Sequence, residues 1–333
     1  MKSIQLSQGG GGLESQTLIQ NLFYRHFNNP ILAQAEDAAL IECQGQTAFT
    51  TDSYTVNPLF FQGGDIGKLA VIGTLNDLAM RTARPGYLSA GFIIEEGLAY
   101  ADLERIVASM AQAIAEADCQ LVCGDTKVVP KGAVDKLFIN TSGIGAVQTN
   151  HPPALNRIQP GDALIVSGDL GRHGAVIMAA RGGLDLNSDL QTDCALLWPL
   201  VEALLNAGIE LHALRDATRG GLATVLNEWA QASGLGLAIE ESQLPICEPV
   251  QGLCELLGFE AYDLANEGRM VIALPADQAE AALRVLRQFD ISQNAAHIGE
   301  VNQHQPGQVI IQTAWGTQRR LHWPNGELLP RIC

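Results

Sequence analysis

Along the chain, segments whose apolar residues recur at helical spacing are followed by segments whose apolar residues recur at strand spacing. This pattern predicts helices interleaved with strands. Apolar residues at helical spacing predict helices over 13–27, 66–80 and 100–117. Short alternating or solidly apolar stretches between turn residues predict strands over 38–41, 48–50, 87–94, 120–123 and 137–147. The first half of the chain is therefore expected to be an α/β or α+β domain.

The segment TNHPPALNRIQPG, at 149–161, interrupts this pattern with three prolines. The periodicity then resumes, predicting strands over 163–167, 237–239 and 270–274 and helices over 175–181, 195–207, 221–232 and 276–289. The last segment, WPNGELLPRIC, has two prolines and no periodic spacing of apolar residues, which predicts a mobile tail. We therefore expect domains at 1–150 and 151–315, followed by a flexible tail at 316–333.

Composition narrows the function classes. The formal charge is -16, with 36 acidic and 20 basic residues, so the average surface repels nucleic acid and anionic lipid. An anionic nucleotide would need metal ions to bridge it to such a protein. No apolar run approaches a membrane span or signal peptide, which predicts a cytoplasmic protein without membrane association. The seven cysteines form no CxxC pair, so neither a disulfide framework nor a zinc site is expected.

Several carboxylates lie beside predicted turns or strand ends: Asp37, Asp52, Asp77 and Asp125. Carboxylates brought together from several loops suit Mg²⁺ bridging to phosphates, because the ion keeps waters and takes few protein oxygens. Each one alone is better explained as a helix cap or turn residue. Only the set favours a metal-dependent nucleotide site.

The motif CGDTKVV places Asp125, Thr126 and Lys127 after an apolar strand. Lys127 would neutralise phosphate or, if desolvated near other cations, act as a base; the alternative is an ordinary surface lysine. The glycines Gly9–Gly12 could bring backbone N–H groups to a phosphate. They do not match the P-loop pattern, however, and glycine runs are commonly linkers.

Three further motifs offer site residues. DATRGG places Asp216 and Arg219 ahead of a predicted helix, where they suit metal and phosphate, although a helix cap is nearly as good an explanation. NEGR places Asn266 and Glu267 before a strand, and Glu267 would be a general base if buried. SGDLGRHG could present His173 to a ligand, but a single loop histidine is more often structural.

Cys333 ends the chain, so the three-residue extension of a prenylation signal is missing. A thiol on a flexible tether can visit more than one active site. The alternative is an incidental free thiol, although proteins tend to avoid exposed free cysteine.

Taken in order, GGGG, TDSY, GTLNDLA, GDTKVV, DATRGGL, ANEGR and the terminal PRIC resemble the HypE family of hydrogenase maturation proteins along essentially the whole chain. That family lies in the superfamily of AIR synthetase, selenophosphate synthetase and thiamine-phosphate kinase. The resemblance implies a two-domain AIR-synthetase-like fold, with a small-sheet N-terminal domain that forms a dimer and a C-terminal α/β domain. Gln8 and Arg172 depart from the family's usual loops.

The resemblance also implies an activity: ATP-dependent dehydration of an S-carbamoyl group on Cys333 to a thiocyanate, which supplies cyanide for hydrogenase iron. The implied cofactors are ATP and Mg²⁺, and the implied partners are a second copy, a HypF-type carbamoyltransferase and a HypC–HypD acceptor complex. Cys333, Lys127 and Glu267 would be catalytic. The implied cofactor-binding residues are Asp37, Asp52, Asp77, Asp125, Thr126, Asn266, Asp216, Arg219, Gly10 and Gly11, of which Asp37, Asp77 and Asp125 would bind metal.

Two other interpretations are consistent with the residues. One is another ATP enzyme of the same superfamily that acts on a small molecule, for which the terminal cysteine is unnecessary. The other is a non-catalytic scaffold whose tail docks on a metallocluster assembly complex. Turnover of ATP on the tail distinguishes them.

Overall fold

A computed structural model of the chain describes residues 3–10, 12–34, 38–182, 189–313, 315–324 and 331–333. Among these residues, no helix is long and apolar enough to cross a membrane. Two sheets organise the fold, one in each half of the chain.

Among the described residues, the first half contains a four-stranded sheet, a small hairpin and four α-helices. They are α1 (Leu13–Leu18), α2 (Arg25–Phe27), β1 (Thr47–Tyr54), β2 (Phe60–Phe61), β3 (Gly64–Asp65), α3 (Ile66–Met80), β4 (Ala83–Glu95), α4 (Tyr100–Glu116), β5 (Gln120–Val129) and β6 (Leu137–Val147). A π-helical segment (Ile19–Tyr24) joins α1 to α2. The apolar spacing of the first predicted helix thus yields one helical run with a wider middle turn.

In the part of the second half that the structure describes, there are a seven-stranded sheet and five α-helices. They are β7 (Asp162–Val166), α5 (Arg172–Gly182), α6 (Trp198–Asn206), β8 (Ala213–Asp216), α7 (Gly221–Ser233), β9 (Gly236–Glu240), α8 (Glu248–Leu257), β10 (Met270–Pro275), α9 (Ala279–Leu286), β11 (Ala296–Asn302), β12 (Val309–Gln312) and β13 (Gln318–Arg320).

Two predicted elements differ from the structure. The predicted strand over 38–41 is wrong, because these residues form no strand. A strand predicted from apolar residues needs them to be buried, and Leu40 is 84% exposed. The predicted tail also begins too early, because β13 pairs with β12 at the edge of the second sheet. Its pairing depends on backbone hydrogen bonds, which leave no trace in hydropathy.

The first sheet has the strand order β1-β6-β4-β5, so β1 and β5 are its two edges. Strand β4 is antiparallel to β6 and parallel to β5. Helices α3 and α4 cover one face. The other face is open, and Phe49 and Ile93 on it are 68% and 42% exposed. Alternate residues of every strand therefore enter the core or face outward.

The second sheet has the order β13-β12-β9-β11-β7-β10-β8 and is covered on both faces. Along β7, Leu164 and Val166 join the core that contains α7, whereas Ala163 and Ile165 join the core that contains α6 and α9. This alternation explains why the sequence of β7 is apolar throughout.

Candidate active site

Cys333 is half-buried and lies next to the end of β1. The Thr55 N–H donates to the Cys333 carbonyl at 2.9 Å, and Ile332 is 4% exposed within the N-terminal core. Burial raises the pKa of the Cys333 thiol to about 12, and the charge of Glu267 adds to the effect. The thiol is therefore neutral near pH 7 and lies among the acidic residues predicted from sequence.

Glu267 is held in the turn before β10. The carboxylate of Asp193 accepts hydrogen bonds from the Glu267 and Gly268 N–H groups at 3.2 and 3.1 Å. Glu267 itself is 3% exposed, and its Oε1 atom has no hydrogen-bond partner. Burial, reinforced by the charges of Asp193, Asp216 and Asp52, raises its pKa well above the usual value. A buried carboxyl without a partner lacks a hydrogen bond that a ligand can provide.

Three more carboxyl groups surround this position. Asp52, on β1, shares a hydrogen bond with Asp77, on α3, and Thr50 donates to Asp77 at 2.7 Å. Burial followed by the Asp77 charge raises the pKa of Asp52 to about 6 and that of Asp216, at the end of β8, to about 7. Arg219 opposes the shift at Asp52, which places its positive charge in the same site.

A cleft between the two domains adjoins these carboxyl groups. Its volume is about 390 Å³, and its walls include Asp77, Asp216 and Arg215. Arg215 also lies 3.6 Å from Glu228. The carboxyl cluster is therefore open to a ligand on one side.

A second cavity, of about 500 Å³, lies beside β5 in the N-terminal domain. We call it the β5 cavity; its walls include Gly10, Asp125, Thr126 and Lys127 together with the apolar residues Ile19, Phe23, Phe27, Ala90, Phe92 and Leu121. At Gly9 an ideal Cβ would lie 2.4 Å from the Val128 nitrogen, so only glycine allows this close approach to β5. A mainly apolar cavity with polar groups at one end suits a nucleotide.

Asp52 lies on one face of the first sheet, and the side chains of Asp125 and Lys127 lie on the other. Asp52 pairs across to Thr141, which is buried under the helices, whereas Asp125 pairs across Gly91 to Asn140, which is exposed on the open face. Asp125 and Lys127 are also on edge strand β5, three strands from β1. At the usual strand spacing this is about 14 Å. One chain therefore does not bring Lys127 to Cys333.

Lys127 is not in the desolvated state in which a lysine acts as a base. Its side chain is 62% exposed and forms an ion pair of 2.9 Å with Asp125. That hydrogen bond from Lys127 lowers the pKa of Asp125. The single chain thus presents this pair as a surface ion pair beside the β5 cavity.

The predicted residues separate into groups. Cys333, Glu267, Asp52, Asp77, Asp216 and Arg219 come together, and Gly10, Asp125, Thr126 and Lys127 form the second group. Asp37 and Gly11 lie outside the described residues. Asn266 does not face a ligand: it is fully buried, accepts from the Gly171 N–H and donates to the Ala217 and Leu264 carbonyls. Its geometry corrects the prediction of a cofactor contact, because its amide connects loops.

The carboxylate oxygens of the site are the groups that could bind a metal ion. Among the residues that the structure describes, no group of three or more His, Cys, Asp or Glu side chains could hold a metal ion, so the predicted set of Asp77 and Asp125 does not converge. Asp52, Asp77 and Asp216 nevertheless offer hard carboxylate oxygens. Mg²⁺ commonly takes one or two carboxylates and completes its shell with waters and phosphate oxygens. The residues present fit Mg²⁺ bound together with a nucleotide.

Sequence reasoning missed two supporting residues. Asp193, 6% exposed, fixes the Glu267 turn and accepts from the His173 N–H at 3.1 Å. Asp135 accepts from the Arg331 guanidinium at 2.6 Å and so holds the tail. Neither belongs to a motif with a local signature, because each acts on a segment remote in sequence.

The two halves of the chain match two protein-family models. Residues 35–147 match the model of the AIR synthase related protein N-terminal domain, and residues 159–312 match that of its C-terminal domain. The chain is therefore an AIR synthase-related protein with the two-domain fold that the sequence predicted.

Closer relatives narrow this class. The chain is 48% identical to carbamoyl dehydratase HypE of Rhodobacter capsulatus, over 99% of this chain and 98% of that protein. A crystal structure of hydrogenase maturation protein HypE in complex with ATP has a TM-score of 0.96, 49% identity and 99% coverage of both chains. In a HypE–HypF complex, the matched chain has a TM-score of 0.81 and 46% identity, with coverage of 92% of this chain and 99% of that one. The chain belongs to the HypE family.

Proposed function

We propose that the protein uses ATP to dehydrate an S-carbamoyl group on its own Cys333, giving an S-thiocyanate that supplies cyanide for [NiFe]-hydrogenase iron. The observation that supports this most directly is the unpartnered Glu267 carboxyl in the electrostatic surroundings of the terminal thiol. The relatives named as carbamoyl dehydratases and the relative crystallised with ATP support the same conclusion.

The chemistry explains why ATP is needed. The carbamoyl oxygen is a poor leaving group until it is phosphorylated. Transfer of the γ-phosphoryl group of ATP to that oxygen, with loss of one N–H proton, gives ADP and an S-bound O-phosphoimidate, R–S–C(=NH)–O–PO₃. Its C–O bond then breaks to release phosphate, the nitrogen loses its remaining proton, and the carbon–nitrogen bond becomes triple. The sum converts R–S–CONH₂ and ATP into R–S–CN, ADP and phosphate.

Glu267 fits the removal of the nitrogen protons. Its buried carboxylate has a raised pKa and is therefore a strong base once it is ionised. Oε1 has a free lone pair that can accept the N–H of a carbamoyl group on Cys333. Arg219, whose positive charge lowers the pKa of both Glu267 and Cys333, favours the ionised carboxylate.

We assign the nucleotide to the β5 cavity, with its phosphates at Asp125, Thr126 and Lys127 and the glycine loop at Gly10. The apolar end of this cavity suits an adenine ring. One or two of the carboxyl groups of Asp52, Asp77 and Asp216 would hold Mg²⁺ together with waters and phosphate oxygens, and the ion would neutralise phosphate charge. In a protein with a net charge of -16, that neutralisation is needed for an anionic substrate to bind.

These assignments require two copies of the chain. Asp125 and Lys127 lie on edge strand β5, three strands from β1, with their side chains on the open face of the sheet. We infer that the phosphates of ATP in one chain do not reach the thiol of the same chain. We propose a homodimer formed through the open sheet face, in which Lys127 of one copy serves Cys333 and Glu267 of the other. The exposed Phe49 and Ile93 on that face gain burial by pairing.

The proposed partners follow the reaction. A HypF-type carbamoyltransferase would load the thiol, in line with the solved HypE–HypF complex of a relative. A HypC–HypD complex would accept the cyanide. A cytoplasmic location stays a prediction.

The deciding measurement is the mass of the C-terminal peptide after incubation with HypF, carbamoyl phosphate and ATP-Mg. A gain of about 43 Da at Cys333 followed by a loss of about 18 Da is expected from the acylation and dehydration of a nucleophilic thiol. Cys43, which is exposed, is the control thiol and should stay unmodified. An unmodified Cys333 beside active HypF would instead favour a small-molecule enzyme of the same superfamily.

A further inference from the structure

The last three residues occupy a defined binding site, which we call the tail seat: Thr55, Asp135, Phe138, His173 and Arg181. Thr55 accepts from the Arg331 Nε–H at 2.8 Å, and Asp135 forms an ion pair of 2.6 Å with the same guanidinium. The Arg331 guanidinium also lies over the Phe138 ring, 5.5 Å from its centroid. Arg181 donates to the Arg331 carbonyl.

The backbone conformation indicates that these contacts determine the position of the tail. Arg331 has a φ of +53°, in the left-handed region that residues other than glycine rarely adopt. Such a conformation persists only when its surroundings fix it. Ile332 next to it is 4% exposed in the core, so the tail is anchored on both sides of this strained residue.

His173 is the one imidazole in the tail seat. It is fully buried, its Nδ1 atom lies 2.8 Å from the Thr192 hydroxyl, and its Nε2 atom lies 2.9 Å from the Ile332 carbonyl. Because a carbonyl only accepts, Nε2 carries the proton and the Thr192 hydroxyl donates to Nδ1. Burial lowers the pKa of His173, which agrees with this neutral tautomer. Phe61 packs edge-on against the ring at 5.4 Å.

The same histidine is connected to the Glu267 turn. The backbone N–H of His173 donates to Asp193 Oδ1, while Asp193 Oδ2 accepts from the N–H groups of Glu267 and Gly268. One carboxylate thus fixes the residue that holds the tail and the residue that faces the thiol. The distance between the carrier sulfur and the base is therefore set through Asp193 and His173.

We propose that His173 is a positioning residue that binds the Ile332 backbone carbonyl and thereby places Cys333 against Glu267. It recognises backbone, so it holds the tail whatever group the sulfur carries. The catalytic consequence rests on the proposed function, whereas the docking itself does not.

The first test compares rates of Cys333 alkylation under native conditions, measured by peptide mass spectrometry with exposed Cys43 as the internal reference. His173→Phe keeps the ring but removes the donor, and it should speed Cys333 labelling about fivefold, the change expected from losing one net hydrogen bond. His173→Gln keeps an N–H donor and should restore much of the protection. His304→Ala, at an exposed histidine, is the control and should leave the rate unchanged.

The second test measures turnover of protein already carbamoylated on Cys333. His173→Phe should lower the dehydration rate and leave the KM for ATP unchanged, because the nucleotide site is untouched. Altered labelling with no thiocyanate formed even by the unsubstituted protein would sink the proposed function and leave the tail seat intact. Unchanged labelling in folded His173→Phe would overturn the tail seat.

A third measurement does not require substitution of the buried histidine. Deleting residues 331–333 removes the hydrogen-bond partner of His173 Nε2. In the NMR spectrum of the folded protein, this deletion should shift the resonance of one buried imidazole nitrogen. Arg331→Ala should shift the same resonance in part. If no histidine resonance responds to either change, His173 does not hold the tail.

Discussion

At the residue scale, the site depends on how burial changes acid–base behaviour. Burial raises the pKa of both Glu267 and Cys333, and the charge of Glu267 adds to the shift at Cys333. A neutral thiol next to a neutral carboxyl is stable at rest and becomes reactive only when cations arrive. Arg219 supplies one such charge within the chain. The resting protein is thus protected against unwanted thiol chemistry.

Replacing Cys333 tests the carrier role. Cys333→Ala should abolish thiocyanate formation, because no other thiol carries the group. It should leave ATP affinity unchanged, because Cys333 forms no part of the wall of the β5 cavity. ATP binding measured by calorimetry and thiocyanate measured by mass spectrometry separate the two effects. Cys43→Ala is the matched control at an exposed cysteine and should behave as the unsubstituted protein. Thiocyanate formation by Cys333→Ala would contradict the central claim.

Asp216 predicts how stability depends on pH. Its folded pKa of about 7 lies above the ordinary 3.8, so the folded state binds a proton more tightly than the unfolded chain. This contribution is complete at pH below about 4 and is lost as the pH rises through about 7. In protein freed of nucleotide and divalent metal, Tm should therefore fall over this range. Asp216→Asn should flatten the fall; an identical pH profile would show that Asp216 ionises normally.

At the element scale, β1 and α3 carry the carboxyl pair and must pack closely to do so. Thr50 of β1 donates to Asp77 of α3, and the Tyr54 hydroxyl lies 3.3 Å from Thr74 of the same helix. At Gly73 an ideal Cβ would lie 2.3 Å from the Tyr54 hydroxyl oxygen. A glycine in the middle of the helix therefore allows the strand and the helix to approach.

This contact gives a stability prediction. Gly73→Ala should destabilise the protein by about 1–3 kcal/mol, the usual cost of an overpacked core. Adding Tyr54→Phe removes the clashing oxygen and should recover part of the loss. Gly252→Ala is the control, because a Cβ there meets nothing within 4 Å, and alanine is favoured over glycine within a helix by roughly 0.5–1 kcal/mol. Denaturant unfolding measures all three; equal effects of Gly73→Ala and Gly252→Ala would rule out the close approach.

At the scale of the whole molecule, the predicted site residues form two separate groups in one chain. Asp125 and Lys127 lie on edge strand β5 with their side chains on the open face, whereas Asp52 lies on β1 at the opposite edge and on the face that α3 covers. A symmetric pair of chains would complete two sites, each with Lys127 from one copy and Glu267 from the other.

Mixing two inactive variants tests this arrangement. Lys127→Ala should slow dehydration by about 10²-fold or more, as removal of an acid–base group does, and Glu267→Gln should do the same. In a re-associated mixture, the mixed dimers contain one intact site, so about a quarter of wild-type activity should return for a symmetric dimer. No recovery, despite mixed dimers shown by native mass spectrometry, would place both residues in one site of one chain.

The sequence by itself determined the alternation of strands and helices, the break near 149–161 and the residues that bear the chemistry, since periodicity, turn formers and motifs are local properties. Helix α3 and strand β6 have the predicted bounds. Only the tertiary structure decided that Lys127 and Cys333 lie apart, that Asn266 connects loops and that His173 holds the chain end. These outcomes depend on strand order, on which face a side chain takes and on burial among residues remote in sequence, and no local pattern encodes them.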